Sequence, residues 1–398
     1  MKKIALKIER GPHLAVGLMS GNSHDGVSAA LVRIQERRRT PVELLSFKTY
    51  PYDTRFRARL LAAGGPGRPG VAEISQLNFG LGRAFAGAAL NLVRSAGVPI
   101  EELSFIGSHG HTFFHLPPRA ANRGAIPSTL QLGEPAVIAA LTGVPVVADF
   151  RPMDVALGGE GAPLAPLIHL RLFGDRSLGR VVQNIGGIAN CTYLPPGAQP
   201  DTPGLIAFDT GPGNMVIDGV MARLSRGRER MDLDGRVAAQ GAVSSRLLAE
   251  MLRHPYFARR CPKSTGREEF GDAFIDRLWS RSRALKLAPR DIAATATALT
   301  ARTIADAVRR FVMPLGPLAE LIVAGGGARN PTLMAMLARE LPDLRVLRAA
   351  EAGVNGDALE AIAFAVLAYE MLNGRPGNIP SVTGARTPAV LGKLTMPP

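Results

Sequence analysis

Cysteine is nearly missing from this chain, in which Cys191 and Cys261 are the only two among 398 residues. They lie far apart, and no CxxC pair or zinc-like spacing occurs, which argues against a disulfide framework and a cysteine-based metal site. Long apolar runs are missing too, so no segment is predicted to span a membrane. Near the start, Lys7, Glu9 and Arg10 interrupt the apolar stretch that a signal peptide would need. We therefore expect a cytoplasmic protein.

Aromatic residues make up only 5% of the chain, although its formal net charge is +14. The positive excess is mostly arginine scattered along the sequence, and its one dense run, Arg37–Arg39, is typical of a solvated hairpin turn. A nucleic-acid-binding surface would show a basic stripe interleaved with aromatic residues, and none is present. We therefore expect no nucleic-acid partner, while an anionic small molecule remains compatible with the charge.

The apolar runs predict a chain of two similar α/β halves, which 398 residues are enough to form. Each half opens with three predicted strands, at Leu14–Met19, Val27–Ile34 and Glu43–Tyr50 in the first and at residues 180–185, 189–194 and 205–208 in the second. In the first half they begin the order β-β-β-α-β-α-β. Two such halves are expected to hold a ligand in a cleft between them.

The predicted domain boundaries follow from the segments that join the two halves. The helix-like segment Gly161–Phe173 is the predicted crossover between them. The Pro- and Gly-rich tail after Asn373 is expected to return to the first half. We therefore predict a first lobe over residues 1–160 and 375–398, and a second lobe over residues 161–374.

The most informative stretch is Ala207–Asn214, which reads AFDTGPGN. A hydrophobic run ends at Asp209, and a tight Gly/Pro turn follows. A carboxylate held at the carboxyl end of a strand, beside exposed backbone N–H groups, suits a general base that faces a bound substrate. The alternative is an Asp-rich turn after a strand, without a chemical role.

A glycine-rich loop, Gly17–Gly26, separates the first two predicted strands. Ser20, Gly21, Asn22 and Ser23 could present backbone and hydroxyl donors to phosphate oxygens. Asp25 could hold a Mg²⁺ ion, usually through water. No GK[ST] follows, so the loop is not a Walker A motif, and a plain hairpin turn would contain the same residue types.

Two further glycine loops occur in similar positions of the second half. Asn184–Asn190 lies between two strands, and its glycines allow the backbone to approach a phosphate closely. Ala324–Asn330 lies between a strand and a helix, where a nucleotide contact near a helix N-terminus is reasonable. Each loop alone is a weak signal, but three loops in equivalent strand contexts favour a phosphate-binding site.

Three of the seven histidines fall in the segment Ser108–His115. His109, His111 and His115 could suggest a metal site, but no neighbouring carboxylate completes a set of ligands. We interpret the segment as a substrate-contacting loop that follows a strand. Structural histidines are the alternative.

Two charged residues are further candidates for substrate contacts. Arg151, just after a strand end, could meet a carboxylate or hydroxyl of the substrate, or could instead pair internally with Asp149 or Asp154. Glu360 begins an Ala-rich helix, where a carboxylate could contact a ligand or simply face solvent.

These segments together resemble the anhydro-N-acetylmuramic acid kinase family. The matching segments occur in family order and cover nearly the whole chain: GLMSGNSHDGV, IGSHGHT, TLQLGEPAVIA, VVADFRPMDVALGGEGAPL, NIGGIAN, FDTGPGN, CPKSTGREEF, GGGARN, LEAIAFAVLA and GNIPSVTGA. The combination of FDTGPGN with NIGGIAN and DFRPMDVA is highly specific. The resemblance implies an α/β, two-lobed actin-like ATPase (ribonuclease H-like) fold, in agreement with the repeated β-β-β opening.

The resemblance also implies a coupled reaction of cell-wall recycling. ATP phosphorylates O6 of a 1,6-anhydro sugar while water opens the anhydro bridge at C1, giving N-acetylmuramic acid 6-phosphate. Asp209 would activate the water, as the carboxylate of an inverting glycosidase does, and Glu360 would contact the sugar. Phosphoryl transfer itself needs positioning and charge neutralisation more than covalent help. The family tends to be dimeric, so a homodimer is among the implied partners.

The resemblance assigns further residues by their place in the matching motifs. For ATP and Mg²⁺, with Asp25 also as the metal contact, these are Gly21, Asn22, Ser23, His24, Asp25, Gly26, Val27, Ser28, Gly186, Gly187, Gly325, Gly326 and Asn330. For the sugar, they are His109, His111, Thr112, Arg151 and Asn214.

Four positions depart from the usual family motifs. Asn22 and Ser28 replace Thr and Asp in the first loop, while His111 and Glu160 each replace a Gln in segments expected to face the sugar. The sugar-side changes keep open a kinase of another anhydro sugar, such as levoglucosan. The sequence is also compatible with a catalytically silent binding protein, and with an ordinary sugar kinase in which Asp209 deprotonates the sugar hydroxyl.

Overall fold

The computed structural model describes residues 8, 11–21, 24–35, 42–64, 69–122 and 124–398. Asn22, Ser23 and the run Arg37–Arg39 lie outside these ranges. Among the described residues, none of the helices combines the length and the apolar character needed to cross a membrane.

The strands of the described residues are, in chain order, β1 (His13–Ser20), β2 (Gly26–Ile34), β3 (Val42–Pro51), β4 (Leu103–Leu116), β5 (Ser128–Leu132), β6 (Val146–Ala148), β7 (Arg180–Ile185), β8 (Ile188–Leu194), β9 (Ile206–Pro212), β10 (Glu320–Ala324), β11 (Arg345–Arg348) and β12 (Lys393–Thr395).

The α-helices of the described residues are α1 (Thr54–Ala63), α2 (Val71–Ser95), α3 (Pro135–Thr142), α4 (Arg151–Ala156), α5 (Ala165–Phe173), α6 (Asn214–Leu224), α7 (Arg236–Ala239), α8 (Ser245–Leu252), α9 (Arg267–Phe270), α10 (Asp272–Ala284), α11 (Pro289–Ala307), α12 (Pro331–Glu340), α13 (Leu359–Leu372) and α14 (Pro380–Thr383).

The first unit is built on a mixed sheet with the strand order β12-β6-β4-β1-β2-β3, to which β5 adds by pairing with β4. Strands β1, β2 and β3 form an antiparallel meander, while β4 runs parallel to β1. The apolar side chains of α2, among them Leu77, Leu81 and Phe85, are fully buried in the core against this sheet. The predicted strand–strand–strand opening is therefore confirmed.

Helix α13 packs so closely on this sheet that two neighbouring strand positions must be glycine. Gly17 of β1 lies beside Gly107 of β4 in the parallel register. A Cβ added at Gly17 would lie 1.9 Å from the Ala361 carbonyl oxygen, and one added at Gly107 would lie 2.1 Å from the Phe364 carbonyl oxygen. The backbones of helix and strands are in contact here, which is possible only without side chains.

The second unit repeats the same plan in a sheet with the order β11-β10-β7-β8-β9. Strands β7, β8 and β9 form an antiparallel meander, and β10 runs parallel to β7. A meander of three strands followed by parallel strands on the side of the first is the ribonuclease H-like order. Its occurrence in both units confirms the predicted two-lobed, actin-like fold class.

The boundaries of the two units differ from the predicted ones. The first comprises residues 1–172 and 358–398, and the second residues 173–357. Helix α5 belongs to the first unit, where Arg171 forms an ion pair of 3.0 Å with the buried Glu370 of α13. Helix α13 itself packs on β1 and β4. These contacts bridge distant parts of the sequence, so composition did not reveal them. The C-terminal tail lies in the first unit as expected, where β12 pairs with β6.

Two local predictions were wrong. The histidine segment Ser108–His115 is part of strand β4 rather than a loop, because β5 pairs with it from His111 to Leu116. Asp209 lies inside β9 rather than after its end, because pairing with β8 continues as far as Pro212.

Replacing Gly107 with alanine should destabilise the first unit, because the new Cβ would collide with the backbone of α13. We expect the thermal midpoint to fall by about 5 °C or more, as overpacking by a few kcal/mol would cause. The matched control is Gly87→Ala in α2, where an added Cβ meets no atom within 4 Å. That variant should keep or raise the midpoint, because alanine favours helix. Equal midpoints of the two variants in thermal unfolding would contradict the close packing.

Candidate active site

Asp209 is fixed on the edge strand β9 by three residues that lie 47 to 56 positions further along the chain. Its backbone N–H donates to the Lys263 carbonyl oxygen at 3.0 Å. Its carboxylate Oδ2 accepts a hydrogen bond of 2.9 Å from the Thr265 backbone N–H. The Tyr256 hydroxyl donates to the Asp209 carbonyl oxygen at 2.6 Å. These bonds hold the carboxylate in one orientation.

The environment of Asp209 favours the protonated acid. Burial raises the pKa of Asp209 from 3.8 to about 6, the negative charge of Glu268 acts in the same direction, and the Thr265 N–H and Lys263 act against it. A carboxylate with a pKa just below neutral can accept a proton in one step and release it in the next. The Thr265 hydroxyl is also buried, and it has no hydrogen-bond partner in the part of the chain that the structure describes.

The glycine segments of the second unit meet at the carboxyl ends of β7, β9 and β10. Carbonyl oxygens of the Gly186–Gly187 turn accept the backbone N–H groups of Gly213, Asn214 and Met215 at 2.7–3.1 Å. A Cβ added at Gly213 would lie 2.3 Å from the Gly186 carbonyl oxygen. The turn therefore fastens the start of α6, and glycine is required for this approach.

The third glycine segment packs on the same turn. A Cβ added at Gly325 would lie 2.5 Å from Asn184 Oδ1, and one at Gly326 would lie 3.3 Å from Asn214 Nδ2. The Asn214 amide donates to the Ile185 carbonyl at 3.3 Å. Asn330 caps α12, its side chain accepting the Leu333 N–H at 3.0 Å. The structure thus brings together these predicted nucleotide residues, although the side chain of Asn330 already has a capping role.

The described part of the first loop is braced by an arginine from α1. Arg57 donates to the His24 carbonyl at 2.9 Å and to Asp25 Oδ1 at 3.1 Å. Asp25 is exposed. Val27 is buried in the core, so only its backbone could contact a nucleotide. The Ser28 hydroxyl bonds to that of Thr49 at 3.0 Å.

A chain of hydroxyl groups orients His111. The Tyr52 hydroxyl donates to Ser20 Oγ at 2.8 Å, and Ser20 Oγ lies 3.1 Å from His111 Nδ1. A hydroxyl group has one hydrogen and two acceptor lone pairs, so Ser20 can pair with either neutral tautomer of His111 while it accepts from Tyr52. Burial lowers the pKa of His111 to about 4, so the ring is neutral at ordinary pH. Thr112, the next residue of β4, is half-buried.

Arg151 lies among groups that fix its guanidinium. Its Nε donates to His109 Nε2 at 2.9 Å, and Nη1 donates to the Gly161 carbonyl at 2.8 Å. His109 must therefore carry its proton on Nδ1, 3.0 Å from the Gly110 carbonyl oxygen. Burial lowers the pKa of Arg151 to about 10, whereas Glu360 and Asp154 favour its charge. Arg151 therefore already forms hydrogen bonds within the protein, and any contact with a ligand would be made in addition to these.

Glu360 is solvent-exposed as a residue, but its carboxyl group is partly desolvated. Crowding by protein atoms raises the pKa of this carboxyl, and the positive charge of Arg151 lowers it.

Glu160, one of the four residues that depart from the family motifs, lies 3.4 Å from Arg119, so its charge is paired. Among the described residues, no group of three His, Cys, Asp or Glu side chains is arranged to hold a metal ion.

The sequence motifs did not reveal the residues that position Asp209. Tyr256 carries no motif, and Lys263 and Thr265 fall in CPKSTGREEF, a segment to which no role was given. The conspicuous Lys-Ser-Thr-Gly turn was the available signal. Nothing in the local sequence shows that this turn lies along the edge of β9.

The sheet topology, which occurs in both units, defines a two-domain protein of the actin-like class. The chain belongs to the anhydro-N-acetylmuramic acid kinase family, whose family model matches residues 13–397.

Two relatives and one solved structure illustrate the likeness. The anhydro-N-acetylmuramic acid kinase of Caldanaerobacter subterraneus subsp. tengcongensis is 44% identical over 96% of this chain and 97% of its own length. The anhydro-N-acetylmuramic acid kinase of Bacillus thuringiensis subsp. konkukian is 42% identical over 96% of this chain and 99% of its own length. The activator of 2-hydroxyisocaproyl-CoA dehydratase from Clostridium difficile, solved with ADPNP, is 12% identical over 90% of this chain and 95% of that one, with a TM-score of 0.45. A likeness at that level says nothing about function.

The raised pKa of Asp209 predicts that Asp209→Asn stabilises the protein near neutral pH. A carboxyl whose pKa rises on folding binds protons more tightly when folded, so its contribution to stability falls as pH rises from about 4 to about 6 and stays low above. The neutral amide avoids this loss. We expect a thermal midpoint about 2–5 °C above wild type at about pH 7.5, shrinking towards about pH 4. The exposed Asp201→Asn should show no such pH-dependent gain. A gain of equal size at both pH values would contradict the assignment.

Proposed function

We propose that this protein is an ATP-dependent kinase of 1,6-anhydro-N-acetylmuramic acid in peptidoglycan recycling. It phosphorylates O6 while water opens the anhydro bridge, releasing N-acetylmuramic acid 6-phosphate and ADP. Membership of the family supports the substrate, and the buried, oriented Asp209 is the observation that supports the chemistry. Since ATP is the co-substrate, we place the reaction in the cytoplasm.

Asp209 serves as the base that activates water. The water oxygen bonds to C1 as the C1–O6 bond breaks, and Asp209 takes the water proton. The electron pair left on O6 forms the bond to the γ-phosphorus, and ADP departs. Oδ2 is occupied by the Thr265 N–H, whereas Oδ1 accepts no hydrogen bond from the described residues, which leaves it for the water. The unpartnered Thr265 hydroxyl is placed to bind the same water or the sugar.

Asp25 is suited to hold Mg²⁺ through water, as in the sequence-based prediction. Oδ1 of its exposed carboxylate accepts a hydrogen bond from Arg57. Mg²⁺ in proteins is often bound by one carboxylate together with several retained water molecules. The ion would supply charge neutralisation on the phosphates. Among the other residues assigned to ATP, Gly186, Gly187, Gly325 and Gly326 would let the phosphates approach the backbone closely.

The sugar-side residues act through hydrogen bonds. In the first unit, His111 offers its Nε2 in place of the Gln amide usual at this position, Arg151 and Glu360 bind polar groups of the sugar, and Thr112 is a further contact. Asn214, at the start of α6 in the second unit, is also assigned to the sugar. Both ring nitrogens of His109 are used by Arg151 and Gly110, so His109 positions Arg151. No observation favours a levoglucosan kinase or a silent scaffold. The homodimer stays a proposal from the family resemblance.

Asp209→Asn should abolish turnover while leaving ATP binding nearly unchanged. Removal of a general base lowers rates by roughly 10²–10⁴-fold. The measurements are ADP release with 1,6-anhydro-N-acetylmuramic acid and ATP-Mg, and ATP affinity by calorimetry, with Asp201→Asn as the matched control. In ¹⁸O-labelled water, the wild-type product should carry label at C1. Turnover by Asp209→Asn near the wild-type rate would remove Asp209 from this role. An unlabelled product would instead indicate direct phosphorylation of a sugar hydroxyl.

The same assignment predicts how the rate depends on pH. The base must be ionised to accept a proton, so kcat/KM should fall tenfold per pH unit below the pKa of Asp209, about 6, and level off above it. His111, with a pKa of about 4, is neutral across this range and contributes no step of its own. A profile that stays flat down to about pH 5 would show that no group with this pKa is needed.

A further inference from the structure

A pocket of the second unit lies beside the proposed base. Thr210, which follows Asp209 in β9, lines this pocket, whereas Asp209 does not. The pocket has a volume of about 360 Å³. Its lining residues come from β9, from the segment that follows α8 and from the end of α11 and the turn after it. Among them are Thr210, His254, Lys263, Thr303, Asp306 and Arg310.

Lys263 is the unusual member of this lining. The residue is only 7% exposed. Its ammonium lies 4.7 Å from the ring centroid of Tyr256, 4.8 Å from that of Phe311 and 6.0 Å from that of Phe208. Among the described residues it has no carboxylate within 4.0 Å and no hydrogen-bond acceptor. Aromatic faces offset only part of the loss of hydration, so a buried cation in this state favours an anionic partner.

The other charges of the pocket leave it positive. Among the described residues that line it, Asp306 is the one carboxylate, and it is engaged outside the pocket by Arg302 at 3.1 Å and Arg309 at 3.2 Å. Arg310 is exposed at the rim, with its guanidinium over the Phe311 ring. Burial lowers the pKa of His254, so its imidazole is neutral near pH 7 and adds no charge. The field of this pocket therefore attracts anions.

The two threonine hydroxyl groups that line the pocket are already used within the protein. The Thr210 hydroxyl donates to the Ala189 carbonyl at 3.0 Å, and the Thr303 hydroxyl donates to that of Thr300 at 3.1 Å. Neither hydroxyl has a hydrogen left for a ligand. The charged donors of the lining are the ammonium of Lys263 and the guanidinium groups of Arg253 and Arg310, and both kinds of group bind phosphate oxygens well.

We propose that this pocket is a second binding site, for the phosphate group of a small molecule, with Lys263 as the deep anchor and Arg310 at the rim. The volume is in the range of small-molecule pockets, so both free phosphate and a phosphate ester the size of a sugar phosphate would fit. The site is distinct from the sugar and ATP contacts proposed above, because its lining contains neither Asp209 nor any residue assigned to the sugar or to ATP.

Occupancy of this pocket would reach Asp209 through Lys263. The Lys263 carbonyl accepts the Asp209 N–H, and the Lys263 charge lowers the pKa of Asp209. A bound phosphate would compensate that charge, so the pH at which kcat/KM is half its plateau should move upwards. This consequence rests on the proposed function, whereas binding itself does not.

The test measures binding of inorganic phosphate and of glucose 6-phosphate by calorimetry, with a non-hydrolysable ATP analogue and Mg²⁺ present in excess to occupy the nucleotide loops. Wild type should bind at one saturable site. Lys263→Met, which keeps the length of the side chain beside the aromatic rings, should weaken binding by about tenfold or more, and Arg310→Gln by several-fold. Arg283→Gln, an exposed arginine of α10 outside the pocket, is the matched control and should bind as wild type does.

The measured affinities distinguish an ester from free phosphate as the occupant of the pocket. Tighter binding of glucose 6-phosphate supports the site with an ester as its occupant, and tighter binding of inorganic phosphate supports it with the free ion. Absence of saturable binding of both probes to wild type overturns the proposal, as does binding that Arg310→Gln and a folded Lys263→Met leave unchanged. Because these arms need no turnover, failure of the proposed kinase reaction would not affect them. In an active enzyme, phosphate should shift the pH profile of wild type more than that of Arg310→Gln.

Discussion

Close approach of backbones at glycine is the constraint on which both units depend. In the first unit, Gly17 and Gly107 let α13 lie directly on neighbouring strands, and that helix carries Glu360 in its first turn. In the second, Gly213 and Gly325 let the start of α6 and the turn after β10 close on the β7–β8 hairpin. In each case a side chain would push apart elements that present candidate site residues, so the glycines fix the geometry of the site before any polar contact does.

Hydrogen bonding then restricts what the polar groups can do. The guanidinium of Arg151 leaves His109 only one tautomer, and the Tyr52–Ser20 pair holds the ring of His111 in place. Both rings are desolvated, and this lowers the pKa of each imidazole. Neutral imidazoles held in this way act as hydrogen-bond partners rather than as proton carriers. In the proposed reaction, proton transfer therefore falls to a carboxylate, and Asp209, with a pKa of about 6, is suited to it.

The sequence predicted the elements with strong periodic signals and missed those that depend on distant partners. Strands β1 and β2 are short apolar runs separated by a Gly-, Ser- and Asp-rich loop, so their hairpin was predictable. The polar residues of Ser108–His115 resemble a loop, and only pairing with β5 makes them a strand. The boundary between the units differs from the predicted one because α13, distant in sequence, packs on the first sheet. Thr265 reaches Asp209 across fifty-six residues, a contact that no local pattern encodes.

Asp209 on the edge strand and Lys263 beside it are coupled by a backbone hydrogen bond and by the attraction of their charges. Burial favours the neutral carboxyl, which suits a proposed base but lowers stability once the group ionises. The Lys263 charge opposes that shift, so the lysine restores part of the ionised population. The same lysine is itself desolvated, and burial lowers its own pKa. Two buried charges of opposite sign, whose residues are joined by the backbone hydrogen bond from Asp209 to Lys263, make the ionisation of the base sensitive to whatever binds beside Lys263. An edge strand suits this coupling, because residues 263–265 occupy the side where another strand would otherwise pair.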